Sequence, residues 1–257
     1  MAELLFLGTC AADFSPRLQT DLSDRFDKDA RRSSSALLAG KYLFDCGPHT
    51  PDALKIADVD RKEITSIILT HLHPDHFMPQ SVKEVLAGRE ENVKLYVRED
   101  ADVPQIAGTE VVRMKNLVPY DVDGDLTVTA LPANHDEGSF PRHLYLEYKG
   151  KRILYALDGG WMLNAAFNFL RDKRLDLLVI DATCGDYEGD WRMAEHNSIP
   201  MIRLMLPSLA AAGVTDGHTS VYLSHLAPSL HRPHDETEKI AGAFGAHVAY
   251  DGLRIEI

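Results

Sequence analysis

The sequence predicts an α+β fold in which β-sheets dominate the core. Many short apolar runs lie between Gly, Asp and Pro residues, two Gly-Lys pairs are typical of tight turns, and a few helical patterns interrupt the runs. The chain has 257 residues, of which 45% are hydrophobic, so a sizeable core is available. No repeat, low-complexity tract or linker divides it. We therefore expect a single domain over residues 1–257.

Strands are predicted where three to six mostly apolar residues stand between turn-forming residues. Twelve runs fit: Glu3–Leu7, Ser35–Leu38, Tyr42–Phe44, Ser66–Leu69, Lys94–Val97, Leu126–Leu131, His143–Tyr148, Arg152–Ala156, Asp176–Ile180, Ser220–Leu223, His247–Ala249 and Arg254–Ile257. The pairs Gly40-Lys41 and Gly150-Lys151 each join two runs, and glycine supplies the positive φ of a tight turn. We expect an antiparallel hairpin at both places.

Helices are predicted between these runs, at Pro51–Ala57, Pro79–Leu86, Leu163–Leu170, Ser198–Leu209 and Glu236–Phe244. The fourth begins at Ser198, a plausible N-cap, and its apolar residues recur at i, i+3, i+4 and i+7. One face of this helix should therefore lie on a sheet. The polar stretch Asp13–Ser35 is too long for an ordinary connection and is either mobile or functional. Its Arg17, Arg31 and Arg32 are candidates for binding a phosphate, although a charged loop is more often solvated.

Charge and cysteine content exclude several classes of protein. With 27 Lys plus Arg against 39 Asp plus Glu, the formal charge is −12, which argues against a partner held mainly by phosphate neutralisation. The three cysteines, Cys10, Cys46 and Cys184, have no C-x-x-C spacing and predict neither disulfides nor a thiolate zinc site. Met1–Gly8 lacks a basic leader, and no window reaches the roughly 18 apolar residues of a membrane span. We expect a soluble, cytoplasmic protein.

The most informative segment is Ile67–Met78, in which a strand runs into three histidines and an aspartate. His71 and His73 alternate and should point the same way, whereas Pro74 ends the extended run and turns Asp75 and His76 toward a second position. Imidazole and carboxylate are ligands for zinc, manganese and iron. One segment could thus serve two adjacent metals.

Further ligand types follow three other predicted strands: His135 in LPANHDEG, Asp158 in ILYALDGG and His225 in VYLSHLAP. Because each of these residues lies at the C-terminal end of a predicted strand, neighbouring strands can bring them to a common centre. Each of them alone would more often be a surface residue or a satisfied core residue. The joint arrangement is far more specific and favours a metal site.

The ordered set H-x-H-x-D-H, His, Asp, His resembles the metallo-β-lactamase superfamily of binuclear metallohydrolases, over almost the whole chain. The resemblance implies an αββα sandwich, two facing sheets flanked by helices. It also implies a bridging, catalytic role for Asp158, a catalytic and metal-binding role for Asp75, and a supporting position for Asp45 of YLFDCG. The implied ligands are His71, His73 and His135 for one metal, Asp75, His76 and His225 for the other, and Asp158 for both.

The superfamily fixes the centre but not the substrate. The segment before the fourth helix, with His196, resembles the phosphoribosyl cyclic phosphodiesterases and, more distantly, the transfer-RNA 3′-end processing ribonucleases, which place an extra His there. GTCAAD, Arg-Arg-Ser and Tyr-Asp-Gly are weaker matches to the first group. A nearby imidazolium could protonate the departing alkoxide after a metal-bridging hydroxide attacks phosphorus. The alternative for His196 is a surface histidine beside an N-cap.

Two differences from these groups bear on the substrate. Asp13–Ser33 contains no Cys or His, so it cannot form the Cys-rich zinc segment of many cyclic phosphodiesterases. The chain also lacks the basic surface and the RNA-gripping arm of the transfer-RNA nucleases. We therefore expect a small phosphodiester, cyclic diesters included, rather than nucleic acid. Two Zn or Mn ions are favoured, with Fe as a further alternative.

Several alternatives stay open at this stage. The same scaffold could hydrolyse a lactone or carboxyl ester, or it could serve as a metal-binding sensor without turnover. His49, His231 and His234 are candidate substrate contacts, with a solvated or incidental position as the alternative. The sequence leaves the oligomeric state open, a homodimer included.

Overall fold

The computed structural model describes residues 3–257; Met1 and Ala2, the start of the N-terminal apolar run, lie outside the described residues. The strands are β1 (Glu3–Gly8), β2 (Ser35–Leu38), β3 (Tyr42–Phe44), β4 (Ser66–Ile68), β5 (Val93–Arg98), β6 (Thr109–Met114), β7 (Pro119–Asp121), β8 (Leu126–Pro132), β9 (Arg142–Tyr148), β10 (Lys151–Ala156), β11 (Leu177–Asp181), β12 (Ser220–Ser224), β13 (His247–Val248) and β14 (Arg254–Glu256). The α-helices are α1 (Thr50–Ile56), α2 (Pro79–Val85), α3 (Asn164–Leu170), α4 (Ile199–Ala211) and α5 (His234–Gly242).

The strands form two mixed seven-stranded sheets. The first has the order β14-β1-β2-β3-β4-β5-β6, and the second has the order β13-β12-β11-β10-β9-β8-β7. In the first sheet β3 to β6 are parallel, and in the second β10 to β13 are parallel, while the remaining pairs are antiparallel. Each sheet therefore directs several strand C-termini toward one edge.

Three apolar layers hold the molecule together. The inner layer lies between the sheets, where Phe44 packs against Tyr155 with ring centroids 5.5 Å apart. An outer layer joins the first sheet to α1 and α2 through residues such as Leu54 and Val82. Another joins the second sheet to the remaining helices through residues such as Ile202. The architecture is the predicted αββα sandwich.

Both predicted hairpins are present. β2 pairs antiparallel with β3, and β9 with β10. At the second turn Lys149 and Gly150 have φ of +49° and +83°, the combination that matches the twist of the flanking strands. The helix predicted at Ser198–Leu209 also forms, with the Ser198 hydroxyl accepting from the Met201 amide and Ile202 buried against the second sheet.

Two strands escaped the prediction, β6 and β7. Both lie at sheet edges, and most of their residues are exposed or half-buried. Because an edge strand with polar residues on both faces lacks the apolar alternation used to find strands, composition gave no signal.

The stretch Asp13–Ser35 is ordered by a short 3₁₀ helix, Pro16–Gln19, and a small apolar cluster. Arg31 and Arg32 are buried rather than solvated. The Arg31 guanidinium donates to Thr9 and to the Ala249 carbonyl, and Arg32 donates to the Leu22 carbonyl. These two arginines therefore tie the stretch to the core, so the expectation that they are solvated was wrong, while phosphate binding by them stays a prediction.

Across residues 3–257, none of the helices is both long and apolar enough to cross a bilayer.

Candidate metal centre

Strand C-termini of both sheets converge on one cavity of about 370 Å³. The first sheet contributes the segment His71–His76, which follows β4, and the second contributes residues that follow β8, β10 and β12. The predicted residues His73, Asp75, His135, Asp158 and His225 line this cavity. Residues far apart in the chain thus meet because parallel strands end at the same edge.

Seven predicted ligands form two adjoining groups. In one group the ligand atoms lie within 4.8 Å of one another, and its members are His71, His73 and His135. The same limit holds for the second group, Asp75, His76 and His225. The carboxylate of Asp158 lies between the groups, 3.0 Å from His76, 3.2 Å from His225 and 3.8 Å from His71.

The second group has its imidazoles fixed from outside. His76 Nδ1 donates to Asp45 over 2.8 Å, and its Nε2 is turned inward, 3.0 Å from the Asp158 carboxylate. Thr183 donates its hydroxyl proton to the His225 carbonyl, so its Oγ1 accepts from His225 Nδ1 over 2.7 Å. The two Nε2 atoms then face each other at 3.1 Å. In the neutral rings that a metal ion requires, these two nitrogens would present their lone pairs to one cation beside the Asp158 carboxylate.

The imidazoles of the first group are also oriented by hydrogen bonds to residues outside the group. Thr70 donates to Asp45, so its hydroxyl accepts from His71 Nδ1, and His71 Nε2 is left buried without a hydrogen-bond partner among the described residues. His73 Nε2 donates to Asp136 over 3.3 Å, and His135 Nδ1 lies 3.4 Å from the Glu195 carbonyl.

The inner nitrogens of His73 and His135 are 3.1 Å apart. Buried polar atoms without partners are rare in native proteins, so these inward lone pairs fit a divalent cation. Donors of this type suit zinc, manganese or iron. That the seven residues bind metal stays a prediction, which the geometry supports.

Charge within the centre is concentrated on Asp158. Burial alone would raise the pKa of its carboxyl, but positive charge on the imidazoles of His225 and His76 holds that pKa well below its usual range. Burial and the neighbouring His76 lower the pKa of His71, which keeps this imidazole neutral and able to bind a metal.

Local backbone geometry explains how these side chains are aimed. Asp45, Asp158 and His225 have φ of +60°, +52° and +58°, in the left-handed region that non-glycine residues seldom adopt. Gly47 is needed where the chain passes the metal segment, because a Cβ there would lie 1.8 Å from the Asp75 carbonyl oxygen. Gly159 is needed because a Cβ would lie 2.4 Å from His143 Nε2.

His196 lies in the wall of the same cavity. Its Nδ1 donates to Asp181 over 2.7 Å, leaving Nε2 free of that bond. Burial opposes the charge on this imidazole, but the Asp181 carboxylate raises the pKa of His196 above its ordinary value. The predicted residue therefore stands beside the metal centre as an oriented, readily protonated imidazole.

Sequence reasoning missed the roles of Asp181 and Thr183. Asp181 accepts from His196, and Thr183 accepts from His225, so both orient residues of the centre. Asp181 ends β11, and this strand-end position is the same signal that identified Asp158. Arg192 and Glu195, which also line the cavity, carried no comparable signal.

The three histidines predicted as candidate substrate contacts lie outside the residues that line this cavity. His49 packs edge-on against Phe14, and its Nδ1 accepts from the Ser33 amide. His231 donates to the Ala182 carbonyl over 2.6 Å, and the buried His234 lies 3.1 Å from Arg31. Their contact with substrate stays a prediction, and the structure gives each of them a protein partner.

Comparison with known families agrees with this geometry. Residues 41–240 match the model of the beta-lactamase superfamily domain. The chain belongs to the beta-lactamase superfamily. Within it, the chain is 29% identical over 159 residues to ribonuclease Z of Methanothermobacter thermautotrophicus. This match covers 52% of the chain and 45% of that relative, so the chain matches less than half the length of the relative.

Two solved structures share the fold over the full length of this chain. A diphosphatase of the PhnP family superposes with a TM-score of 0.73 at 22% identity, covering 100% of this chain and 98% of that one. The metallo-β-lactamase fold protein YhfI of Bacillus subtilis superposes with a TM-score of 0.75 at 16% identity, covering 100% and 99%. At these identities the likeness establishes the fold.

Proposed function

We propose that this chain is a metal-dependent phosphodiesterase that uses two divalent cations to hydrolyse a small phosphodiester, cyclic diesters included. The metal requirement is supported by the inward lone pairs of the histidines, above all the unpartnered His71 Nε2. Membership of the superfamily and the similarity to ribonuclease Z support the reaction class. The net charge of −12 favours a small diester over RNA.

Zinc or manganese suits this set of nitrogen and oxygen donors. One cation would be held by His71, His73 and His135, the other by Asp75, His76 and His225, and both by Asp158. When bound, such cations neutralise charge on the phosphoryl oxygens and supply a hydroxide nucleophile at neutral pH. The carboxylates of Asp75 and Asp158 balance this positive charge in the buried centre.

The observation that favours a phosphodiester is the His196–Asp181 pair, with 2.7 Å between Nδ1 and Oδ2. An alkoxide leaving a phosphodiester needs a proton, and His196 Nε2 can deliver one from the cavity wall. Asp181 orients the ring and favours its protonated form. His196 also stands three residues before α4, whose N-terminus favours a bound anion.

The test is hydrolysis by protein that is stripped of metal and then reloaded with manganese or zinc. We expect metal-dependent cleavage of bis(p-nitrophenyl) phosphate, and its loss in the His71→Ala variant. A γ-lactone offered in parallel should be a poor substrate. Stoichiometric metal binding with cleavage of the lactone alone would refute the phosphodiesterase assignment and the role of His196, while leaving the metal centre intact.

A further inference from the structure

A second cavity, of about 320 Å³, lies next to the metal cavity and shares no lining residue with it. Two of its lining residues, Leu226 and Pro228, flank Ala227, which lines the metal cavity. Arg31 and His231 also line the second cavity, and the proposed chemistry of the metal centre uses neither of them. Their unused hydrogen-bonding groups indicate what this cavity binds.

Arg31 brings a buried positive charge to the cavity. Its surface is only 4% exposed, and it reaches a carboxylate only through the Thr9 hydroxyl, which accepts from Arg31 and donates to Asp251. Nη1 also donates to the Ala249 carbonyl, and Nη2 donates to His234 Nδ1 over 3.1 Å. One N–H of Nη2 and the N–H of Nε have no partner among the described residues, so they can donate to an anion in the cavity.

His231 offers the opposite kind of group, a hydrogen-bond acceptor. Its Nε2 donates to the Ala182 carbonyl over 2.6 Å, and its Nδ1 is buried without a partner among the described residues. Burial lowers the pKa of His231 to about 4, so the ring is neutral at neutral pH and Nδ1 carries a lone pair. Because a buried acceptor without a partner is costly, a ligand that supplies a proton donor to Nδ1 is favoured.

Two charged residues complete the lining of the cavity. Arg232 is exposed and adds a second guanidinium, which pairs with Asp186 over 3.1 Å. Asp29 adds a carboxylate, whose Oδ1 accepts from the His234 amide over 2.7 Å. Positive charge beside two acceptors, the Asp29 carboxylate and His231 Nδ1, favours an anion that keeps a hydroxyl proton of its own.

We propose that this second cavity binds inorganic phosphate in its hydrogen phosphate form. Arg31 would donate to the unprotonated phosphate oxygens, and the phosphate hydroxyl would donate to His231 Nδ1. Near pH 8 inorganic phosphate still carries a hydroxyl, whereas sulfate and the dianion of a phosphate monoester carry none. The site is independent of the proposed function, because its residues are not among the candidate metal ligands.

The experiment is an anion titration near pH 8, followed by the NMR signal of the His231 Cε1 proton in zinc-loaded protein with carbon-13-labelled histidine. The signal is assigned by its absence from the His231→Phe variant, and it reports this cavity and not phosphate bound at the metal centre. Inorganic phosphate should shift the signal saturably in wild type. Sulfate and glycerol 3-phosphate should bind about tenfold more weakly or worse, because neither can donate to the buried Nδ1.

Arg31→Gln should abolish the shift that phosphate causes, because it removes the buried charge. Since Arg31 also ties its stretch to the core, a circular dichroism spectrum checks that this variant folds, and the comparison of three anions in wild type tests the proposal without that substitution. Arg17→Gln is the matched control. Arg17 belongs to the same stretch, but it is exposed and paired with Asp21, so this variant should bind phosphate as wild type does.

No shift with phosphate, equal affinity for the three anions, or wild-type affinity for phosphate in folded Arg31→Gln would overturn the proposal. Hydrolysis of bis(p-nitrophenyl) phosphate separates this result from the proposed function. If the diester is cleaved and phosphate does not shift the His231 signal, only the second site fails. If phosphate shifts the signal and the diester is not cleaved, the second site stands and the phosphodiesterase assignment fails.

Discussion

Single side chains outside the metal centre decide which nitrogen of each imidazole faces inward. Asp45 accepts from His76 and from Thr70, and Thr70 in turn accepts from His71. One buried carboxylate thereby fixes the tautomers of two predicted ligands, one in each group. Removing its charge should weaken both groups together.

We expect Asp45→Asn to lower metal affinity by about 10- to 100-fold, the usual effect of losing a partner of a ligating histidine. Competition with a chromophoric chelator measures this, and a circular dichroism spectrum like that of wild type shows that the fold is retained. Asp123→Asn is the matched control, since Asp123 accepts from Tyr42 and takes no part in the centre. Equal affinities for wild type and Asp45→Asn would contradict the role of Asp45.

His196→Gln should slow the reaction according to the leaving group. An alkoxide depends on protonation, whereas p-nitrophenolate leaves readily without it. Turnover of a diester with an alkyl leaving group should therefore fall by about 10²- to 10⁴-fold, and that of bis(p-nitrophenyl) phosphate by much less. Metal content should not change. The same loss on both substrates would speak against proton donation by His196.

Much of the candidate site was predictable at the residue scale, because His71, His135 and Asp158 follow apolar strands in a recognisable order and the structure brings them together. The residues that orient the imidazoles, such as Thr183, were not predictable from the sequence. Thr183 is a common residue without a distinctive spacing, and its role arises only because β11 and β12 lie side by side. Such contacts depend on strand neighbours that are distant in the sequence.

At the scale of elements, close packing at turns holds the strand ends in place. Gly159 follows Asp158 after β10, and β9 carries His143 directly against it. His143 is fully surrounded, and burial lowers its pKa to about 4, so it packs as a neutral ring. The contact between Gly159 and His143 is therefore one of close packing and not of charge.

Gly159→Ala should destabilise the protein by about 1–3 kcal/mol, because a new methyl group is forced against a packed ring. The cost should shrink when His143 is replaced by Ala at the same time, since the obstructing ring is then gone. Urea unfolding of the four proteins of this cycle measures both values. Gly217→Ala serves as control, because a Cβ there meets no atom within 4 Å. Additive costs at the two sites would show that Gly159 is required for another reason.

Elements were predicted well where apolar periodicity is strong. The apolar runs that became β8 to β12 lie in the second sheet, and their inner faces fill the layer between the sheets. The edge strands β6 and β7 were missed because solvent covers much of their surface. The order of strands within each sheet had no local signal, since it is set by contacts between distant segments.

For the whole molecule, the candidate metal centre draws its residues from both sheets. The segment His71–His76 belongs to the first sheet, and His135, Asp158 and His225 belong to the second. A cation bound by residues of both sheets would connect the two sheets directly. Without it, the sheets contact each other through the apolar layer between them. The metal should therefore stabilise the fold as a whole.

Metal binding should raise the unfolding midpoint of the stripped protein. At a free metal concentration of 100 times Kd the gain is about 2.7 kcal/mol for one site, because only the folded state holds the ligands together. Thermal unfolding of stripped and reloaded protein measures the shift, and His71→Ala should show a smaller one. No shift on reloading would mean that the cations do not bind across the two sheets.

The most direct measurement is the rate of bis(p-nitrophenyl) phosphate hydrolysis while stripped protein is titrated with manganese or zinc. Because the two groups of candidate ligands share Asp158, we expect the rate to rise until two equivalents of metal per chain are bound and then to stay level. The His71→Ala variant should not reach that rate. A plateau at one equivalent would contradict a binuclear centre, and no hydrolysis at any loading would contradict the phosphodiesterase itself.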